Sequence, residues 1–117
     1  MSRLTTHVLD VSMGIPAAGV RVELHALGAA TSQLLAMQHT AADGRCARAL
    51  LEGEHFQTGR YTLTFHVGDY FRGRGILLPE PAFIDAAVIH FGIAAVDQHY
   101  HVPLLVTPWS YSVYRGR

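Results

Sequence analysis

The fold class is decided by the stretch Val20-Arg21-Val22-Glu23-Leu24-His25-Ala26, in which apolar and polar residues alternate strictly. A period of two places alternate side chains on opposite faces of an extended chain, so this stretch predicts a half-buried β-strand. The stretch Tyr61-Thr62-Leu63-Thr64-Phe65-His66-Val67 repeats the pattern. Further strands are predicted over residues 5–11, 82–91 and 104–114, the last begun by Pro103 and interrupted by Pro108.

Turn-forming residues separate these strands. Gly14-Ile15-Pro16 follows the first strand, and Ala42-Asp43-Gly44 predicts a tight turn before Arg45. Helical signals are few: a short helix is predicted over residues 70–74, and residues 32–37 are a weaker candidate. Many short strands with regular turns predict an all-β sandwich or barrel, and the length predicts a single domain over residues 1–117.

The composition limits the classes of partner. The 117 residues are 50% hydrophobic and 15% charged, which allows a packed core and leaves apolar surface for an oligomer to bury. The formal net charge is zero and the nine basic residues are all Arg, without a basic run, so nucleic acid is not an expected partner. No apolar run has the length of a membrane span or the form of a signal peptide, so we expect no membrane contact and a cytoplasmic location.

Three of the eight histidines are candidates for chemistry: His7, His99 and His101. His99 and His101 have the i, i+2 spacing that places both rings on one face of an extended segment. A three-histidine metal site, a metal-free His/Arg acid–base site and three structural histidines all fit these residues. Cys46 is the single cysteine, so an internal disulfide is excluded and a catalytic thiol is not expected.

Two further segments carry polar side chains of interest. Arg45 follows the Asp43-Gly44 turn, and its guanidinium offers a planar fork to a carboxylate or a urea-like group. The stretch Tyr111-Ser112-Val113-Tyr114-Arg115-Gly116-Arg117 keeps an aromatic, alternating character where chain ends are usually polar and frayed. This predicts that the tail docks into the core or into a subunit interface.

These segments together resemble the transthyretin-related 5-hydroxyisourate hydrolase family. The resemblance is carried by Leu4-Thr5-Thr6-His7-Val8-Leu9-Asp10, Asp43-Gly44-Arg45, Gly68-Asp69-Tyr70-Phe71, His99-Tyr100-His101-Val102-Pro103-Leu104-Leu105 and Tyr111-Ser112-Val113-Tyr114-Arg115-Gly116. It implies a transthyretin-like β-sandwich of seven to eight strands with one short helix. It also implies a homotetramer, built as a dimer of dimers with active sites between subunits.

The same resemblance implies the activity, which is hydrolysis of 5-hydroxyisourate to 2-oxo-4-hydroxy-4-carboxy-5-ureidoimidazoline without a metal or an organic cofactor. The catalytic positions of the family fall on His7, Arg45 and His101. The substrate-binding positions fall on Tyr114 and Arg115, and we expect a supporting role for His99. The alternative is a non-catalytic transthyretin-like protein that carries a small ligand.

One residue departs from the family pattern. The family usually ends in Tyr-Arg-Gly-Ser, whereas this sequence has Arg117 after Gly116. A guanidinium in place of a small hydroxyl would bring a bulky cation to the substrate cavity. We expect Arg117 to turn outward into solvent, because a terminal residue is free to do so.

Overall fold

The strands of the protein form two sheets, described by a computed structural model that covers residues 2–116. The strands are β1 (Arg3–Asp10), β2 (Ile15–Pro16), β3 (Arg21–Leu27), β4 (Ser32–His39), β5 (Leu51–Glu52), β6 (Gly59–Phe65), β7 (Ala87–Ile93), β8 (Tyr100–Thr107) and β9 (Ser110–Val113). A 3-10 turn (Gly53–His55) and one helix, α1 (Val67–Gly73), lie between strands. The first sheet has the order β2-β1-β8-β9, with β5 also paired to β1, and the second has the order β4-β3-β6-β7. The predicted all-β sandwich with one short helix is confirmed.

The alternation of side chains gives the two sheets a common core. In β1, every second residue is buried, from Leu4 through Thr6 and Val8 to Asp10. In β6, Tyr61, Leu63 and Phe65 are buried in the same rhythm. Burial of one large apolar side chain contributes about 1.5–3 kcal/mol, so the inward-facing sets hold the sheets together. The outward-facing set of β1 is thereby left free for chemistry.

The pairing of β1 with β8 positions the site. These two strands run parallel although most of the chain separates them, whereas the other described pairs are antiparallel. The register sets Thr5 opposite His101 and His7 opposite Pro103. The outward-facing side chains of both strands therefore share one face at the start of β8.

Several local predictions were wrong. Residues 32–37 form part of β4 rather than a helix, because pairing with β3 along the strand outweighs their local helix preference. The predicted strand over residues 104–114 is a hairpin of β8 and β9 that turns at Pro108 and Trp109. Residues 82–86 precede β7 instead of extending it, and α1 begins at Val67.

Pro103 lies inside β8 rather than at its start. It is tolerated there because β9 pairs with Leu104–Thr107 of β8, beyond the proline that lacks a backbone N–H. No helix within residues 2–116 is long and apolar enough to cross a membrane.

Candidate active site

A cleft on the outer face of the first sheet gathers most of the predicted site residues. Its volume is about 450 Å³, and its walls include Thr5 of β1, Arg45, His99 and His101. His7 lies next to this cleft, because it forms an antiparallel bridge with Arg45 and therefore shares a face with it. The structure thus brings His7, Arg45, His99 and His101 together from three separate parts of the chain.

His101 is a half-buried imidazole with one nitrogen already engaged. Its Nδ1 lies 2.8 Å from the Oγ1 atom of Thr5, which leaves Nε2 for a substrate or a water molecule. Burial lowers the pKa of His101, and electrostatic repulsion from Arg45, and from His7 and His99 when they are protonated, lowers it further, while a backbone hydrogen bond with Thr5 acts in the opposite direction. A pKa below the ordinary value of 6.5 keeps His101 neutral near pH 7, so it can accept a proton.

The protonation pattern of neutral His7 follows from its partner. Nε2 of His7 lies 2.8 Å from the backbone carbonyl oxygen of Asp43. A carbonyl oxygen only accepts hydrogen bonds, so Nε2 carries the hydrogen and donates it. The free nitrogen of neutral His7 is therefore Nδ1.

Gly44 holds the segment that carries Arg45 against β1. Its φ is +80°, and a Cβ at this position would collide with the carbonyl oxygen of Val8. The carbonyl oxygen of Gly44 accepts a hydrogen bond from the Val8 amide at 2.8 Å, and the Arg45 amide donates to Asp43 Oδ1 at 3.0 Å. The turn predicted from Asp43-Gly44 thus sets the direction in which Arg45 leaves the backbone.

The tail of the chain is tied to the same strand end. The Gly116 amide donates to the His101 carbonyl at 2.6 Å, and the Arg115 guanidinium donates to the His99 carbonyl at 3.0 Å. The guanidinium also lies over the Tyr100 ring, 3.9 Å from its centroid. Tyr114 and Arg115 line a neighbouring groove rather than the cleft of His101. Their substrate-binding role therefore stays a prediction.

Arg117 lies outside the described residues 2–116, so its outward orientation also stays a prediction. Within those residues, no group of three or more His, Cys, Asp or Glu side chains is placed to hold a metal ion.

Thr5 is a residue of the cleft that the sequence analysis did not single out. Its Oγ1 atom lies 2.8 Å from Nδ1 of His101 and 3.3 Å from Nε2 of His99. A threonine in a strand is ordinary, because β-branched residues favour strands. The available signal was its position two residues before His7, which places both side chains on the same face of β1.

The fold and this cluster define a class of protein: a small transthyretin-like β-sandwich with a His/Arg acid–base cluster on the outer face of one sheet. The model of the HIUase/Transthyretin family matches residues 4–116, nearly the whole chain. The chain belongs to the HIUase/Transthyretin family. The family resemblance inferred from the sequence is thereby confirmed.

Several of the similar proteins are 5-hydroxyisourate hydrolases. A 5-hydroxyisourate hydrolase of Pseudomonas aeruginosa is 53% identical over 116 residues, which cover 99% of this chain and 92% of the relative. The solved 5-hydroxyisourate hydrolase of Klebsiella pneumoniae has a TM-score of 0.83 and 38% identity, with 100% of both chains covered. A solved (S)-allantoin synthase has a TM-score of 0.93 and 42% identity, with 99% of this chain but 44% of that chain covered. This chain thus spans less than half of the synthase.

Proposed function

We propose that this chain is a single-domain cyclic amide hydrolase that opens the ring of 5-hydroxyisourate to give 2-oxo-4-hydroxy-4-carboxy-5-ureidoimidazoline, a step of urate and purine degradation. The observation that carries the proposal is the convergence of His7, Arg45 and His101 at one outward face of β1 and β8. The names of the similar hydrolases supply the substrate. The catalytic set is His7, Arg45 and His101.

The first step is the attack of water on a ring carbonyl. Nε2 of His101 takes one proton from the water as its oxygen bonds to the carbonyl carbon, so the imidazole becomes an imidazolium. Negative charge develops on the carbonyl oxygen during this step. The Arg45 guanidinium donates hydrogen bonds to that oxygen, and its planar fork suits the flat, polar substrate.

The second step breaks the ring. The tetrahedral carbon expels the ring nitrogen, and the imidazolium of His101 returns its proton to that nitrogen. The C–N bond is broken and one water is added overall, so no proton remains on the enzyme. The lowered pKa of His101 makes the imidazolium a stronger acid for this return. His7 is held by Asp43 through Nε2, and its Nδ1 orients the water or a ring N–H group.

The same proposal assigns substrate binding to Tyr114 and Arg115 and a supporting role to His99. It also includes a homotetramer built as a dimer of dimers. The contact between the Gly116 amide and His101 supports the tail assignment, because it anchors the tail beside the base. Exposed apolar side chains near β9 support the oligomer, among them Trp109, which is 58% exposed.

One observation favours the non-catalytic alternative. The groove beside the cleft, about 210 Å³ in volume, is lined by apolar side chains that include Phe91, Val102 and Tyr114. An apolar carrier site gains nothing from desolvated polar groups, however, and burial of unpaired polar side chains is costly. The His/Arg cluster in the adjacent cleft therefore favours the hydrolase.

The decay of freshly generated 5-hydroxyisourate, followed by ultraviolet absorbance with and without the protein, separates the two functions. The hydrolase accelerates the decay, and Arg45→Ala loses at least about a hundredfold in rate, the cost of one oxyanion-stabilising donor. Arg60→Ala is the matched control, since Arg60 is exposed on β6 of the other sheet. Decay at the spontaneous rate with the wild-type protein would contradict the hydrolase function and support the non-catalytic carrier instead.

A further inference from the structure

We propose that Thr5 is a positioning residue whose hydroxyl relays a proton between His101 and His99, so that the charge formed at His101 is shared with His99. The proposal rests on the hydrolase function proposed above. It gives His99 a defined part in the reaction and adds Thr5 to the machinery of the site.

The placement of Thr5 follows from the register of β1. Thr5 lies opposite His101 in the parallel pair and faces outward, where its Oγ1 atom reaches Nδ1 of His101 at 2.8 Å and Nε2 of His99 at 3.3 Å. The next residue, Thr6, is buried and donates to the Val102 carbonyl at 2.6 Å. Adjacent threonines thus have different partners: Thr6 binds backbone, and Thr5 joins two imidazoles.

Counting hydrogens restricts what this contact can be. A hydroxyl has one hydrogen, so Thr5 donates to one imidazole and accepts from the other. In the first arrangement, His101 Nδ1–H donates to Thr5, Thr5 donates to His99, and Nε2 of His101 is bare. In the second, both bonds are reversed and a neutral His101 carries its hydrogen on Nε2. In the first arrangement, Nε2 of His101 can accept a proton from a water molecule.

The relay connects the two arrangements. After Nε2 of His101 accepts the proton of the attacking water, the Nδ1 proton moves to Thr5 Oγ1 as the hydroxyl hydrogen moves to Nε2 of His99. His101 is then neutral with a hydrogen on Nε2, and His99 is an imidazolium. When the leaving nitrogen takes the Nε2 hydrogen, the two transfers reverse and restore the first arrangement. Each proton that leaves one atom arrives at another.

The charged groups around His101 disfavour a positive charge that stays on its ring. Arg45 and His7 face His101 from the bridged segment and from β1, His99 faces it from its own strand end, and Arg3 lies at the rim of the cleft. A positive charge on His101 is therefore opposed from several sides. Delocalisation toward His99 spreads that charge over two imidazole rings. The other cation near His99, Arg115, is engaged by a backbone carbonyl and by the Tyr100 ring.

Kinetics of Thr5→Val and Thr5→Ser test the relay. We expect Thr5→Val to lower kcat about ten- to a hundredfold, the loss of one hydrogen bond to a charged group, with KM changed less than about threefold. Thr5→Ser keeps the hydroxyl and restores kcat to within about threefold of wild type. Thr64→Val, on β6 of the other sheet, is the matched control and leaves both constants unchanged. The double variant Thr5→Val/His99→Gln loses no more than the worse single variant, because both changes break the same relay.

Imidazole ¹⁵N NMR supplies a readout that does not depend on turnover. In the wild type, titration of His101 moves the ¹⁵N signals of His99, and Thr5→Val removes this coupling while Thr5→Ser keeps it. Additive losses in the double variant, equal rates for Thr5→Val and wild type, or a Thr5→Ser variant as slow as Thr5→Val would each overturn the relay. If the wild type fails to accelerate 5-hydroxyisourate decay, the hydrolase proposal fails, and the NMR coupling still decides the link between Thr5 and the two histidines.

Discussion

At the scale of single residues, the proposed site depends on a histidine whose surroundings disfavour its charged form. Partial burial and the charge of Arg45 both disfavour the imidazolium of His101 and lower its pKa. Thr5 engages Nδ1 of His101, which leaves Nε2 available to water or substrate. A neutral base beside a cation is a combination that supports water activation and oxyanion stabilisation in the same cleft.

The pH dependence of the reaction follows from the direction of this shift. The base must be unprotonated, so kcat/KM rises with pH through the pKa of His101 and then reaches a plateau. Because that pKa lies below 6.5 in the folded protein, the half-maximal rate falls below pH 6.5. The measurement is kcat/KM against pH after subtraction of the spontaneous decay. A midpoint above the ordinary histidine value would contradict the assignment.

At the scale of elements, local pattern and long-range pairing contribute different information. Alternation predicted β3 and β6 well, because period two is a local property of the chain. The parallel pairing of β1 with β8 has no local signal, since it joins segments at opposite ends of the sequence. His7 and His101 could therefore be chosen from the sequence as residue types, but their common face and the contact with Thr5 required the register.

Gly44→Ala tests the turn that places Arg45. Both Gly44 and Gly14 have positive φ, but a Cβ at Gly14 meets nothing within 4 Å, whereas at Gly44 it meets the Val8 carbonyl. We expect Gly14→Ala to cost about 1–2 kcal/mol from the backbone conformation alone. Gly44→Ala costs more and also lowers the hydrolase rate, because the segment must move away from His7. Urea unfolding and initial rates measure both effects, and equal losses for the two variants would argue against this role.

The contact between Asp10 and Tyr70 pins helix α1 to the first sheet. Asp10 is fully buried, and its Oδ2 atom accepts from the Tyr70 hydroxyl at 2.9 Å. Tyr70→Phe should cost about 1.5–3 kcal/mol of unfolding free energy, the value of a hydrogen bond to a charged group. Tyr61→Phe is the control and should cost about 0.5–1.5 kcal/mol, because the Tyr61 hydroxyl donates to a neutral carbonyl. Equal losses of unfolding free energy for the two variants would contradict a stronger contribution from the hydrogen bond between Tyr70 and Asp10.

The same pair sets an alkaline limit on stability. Burial, together with the hydrogen bond to Asp10, raises the pKa of Tyr70 from 10.0 to about 12. A raised pKa in the folded state means that this contribution is complete below pH 10 and is lost as the pH rises toward 12. The Tyr70 hydroxyl therefore stays protonated and donates its hydrogen bond throughout the neutral pH range.

At the scale of the whole molecule, the distribution of apolar surface points to association. Phe83 and Trp109 are exposed and lie against each other, with ring centroids 6.0 Å apart. They lie near the turn between β8 and β9, next to the edge of the first sheet. An exposed aromatic pair beside a sheet edge is a typical site of protein–protein contact.

Trp109→Glu tests the proposed tetramer. We expect a smaller assembly by sedimentation velocity, since a charge in an apolar interface is strongly unfavourable. Met37→Glu is the matched control, because Met37 is 48% exposed on β4 at the far edge of the second sheet. A monomeric wild type, or a Trp109→Glu variant that sediments as the wild type, would contradict the proposed interface.

The most direct test of the central claim is the initial rate of 5-hydroxyisourate decay for the wild type and for His101→Asn, measured side by side. Loss of the base should lower the catalysed rate by about 10²–10⁴-fold, while sedimentation stays unchanged. His90→Asn, an exposed histidine on β7, should retain full activity. A His101→Asn variant with nearly wild-type activity would contradict the account of this site.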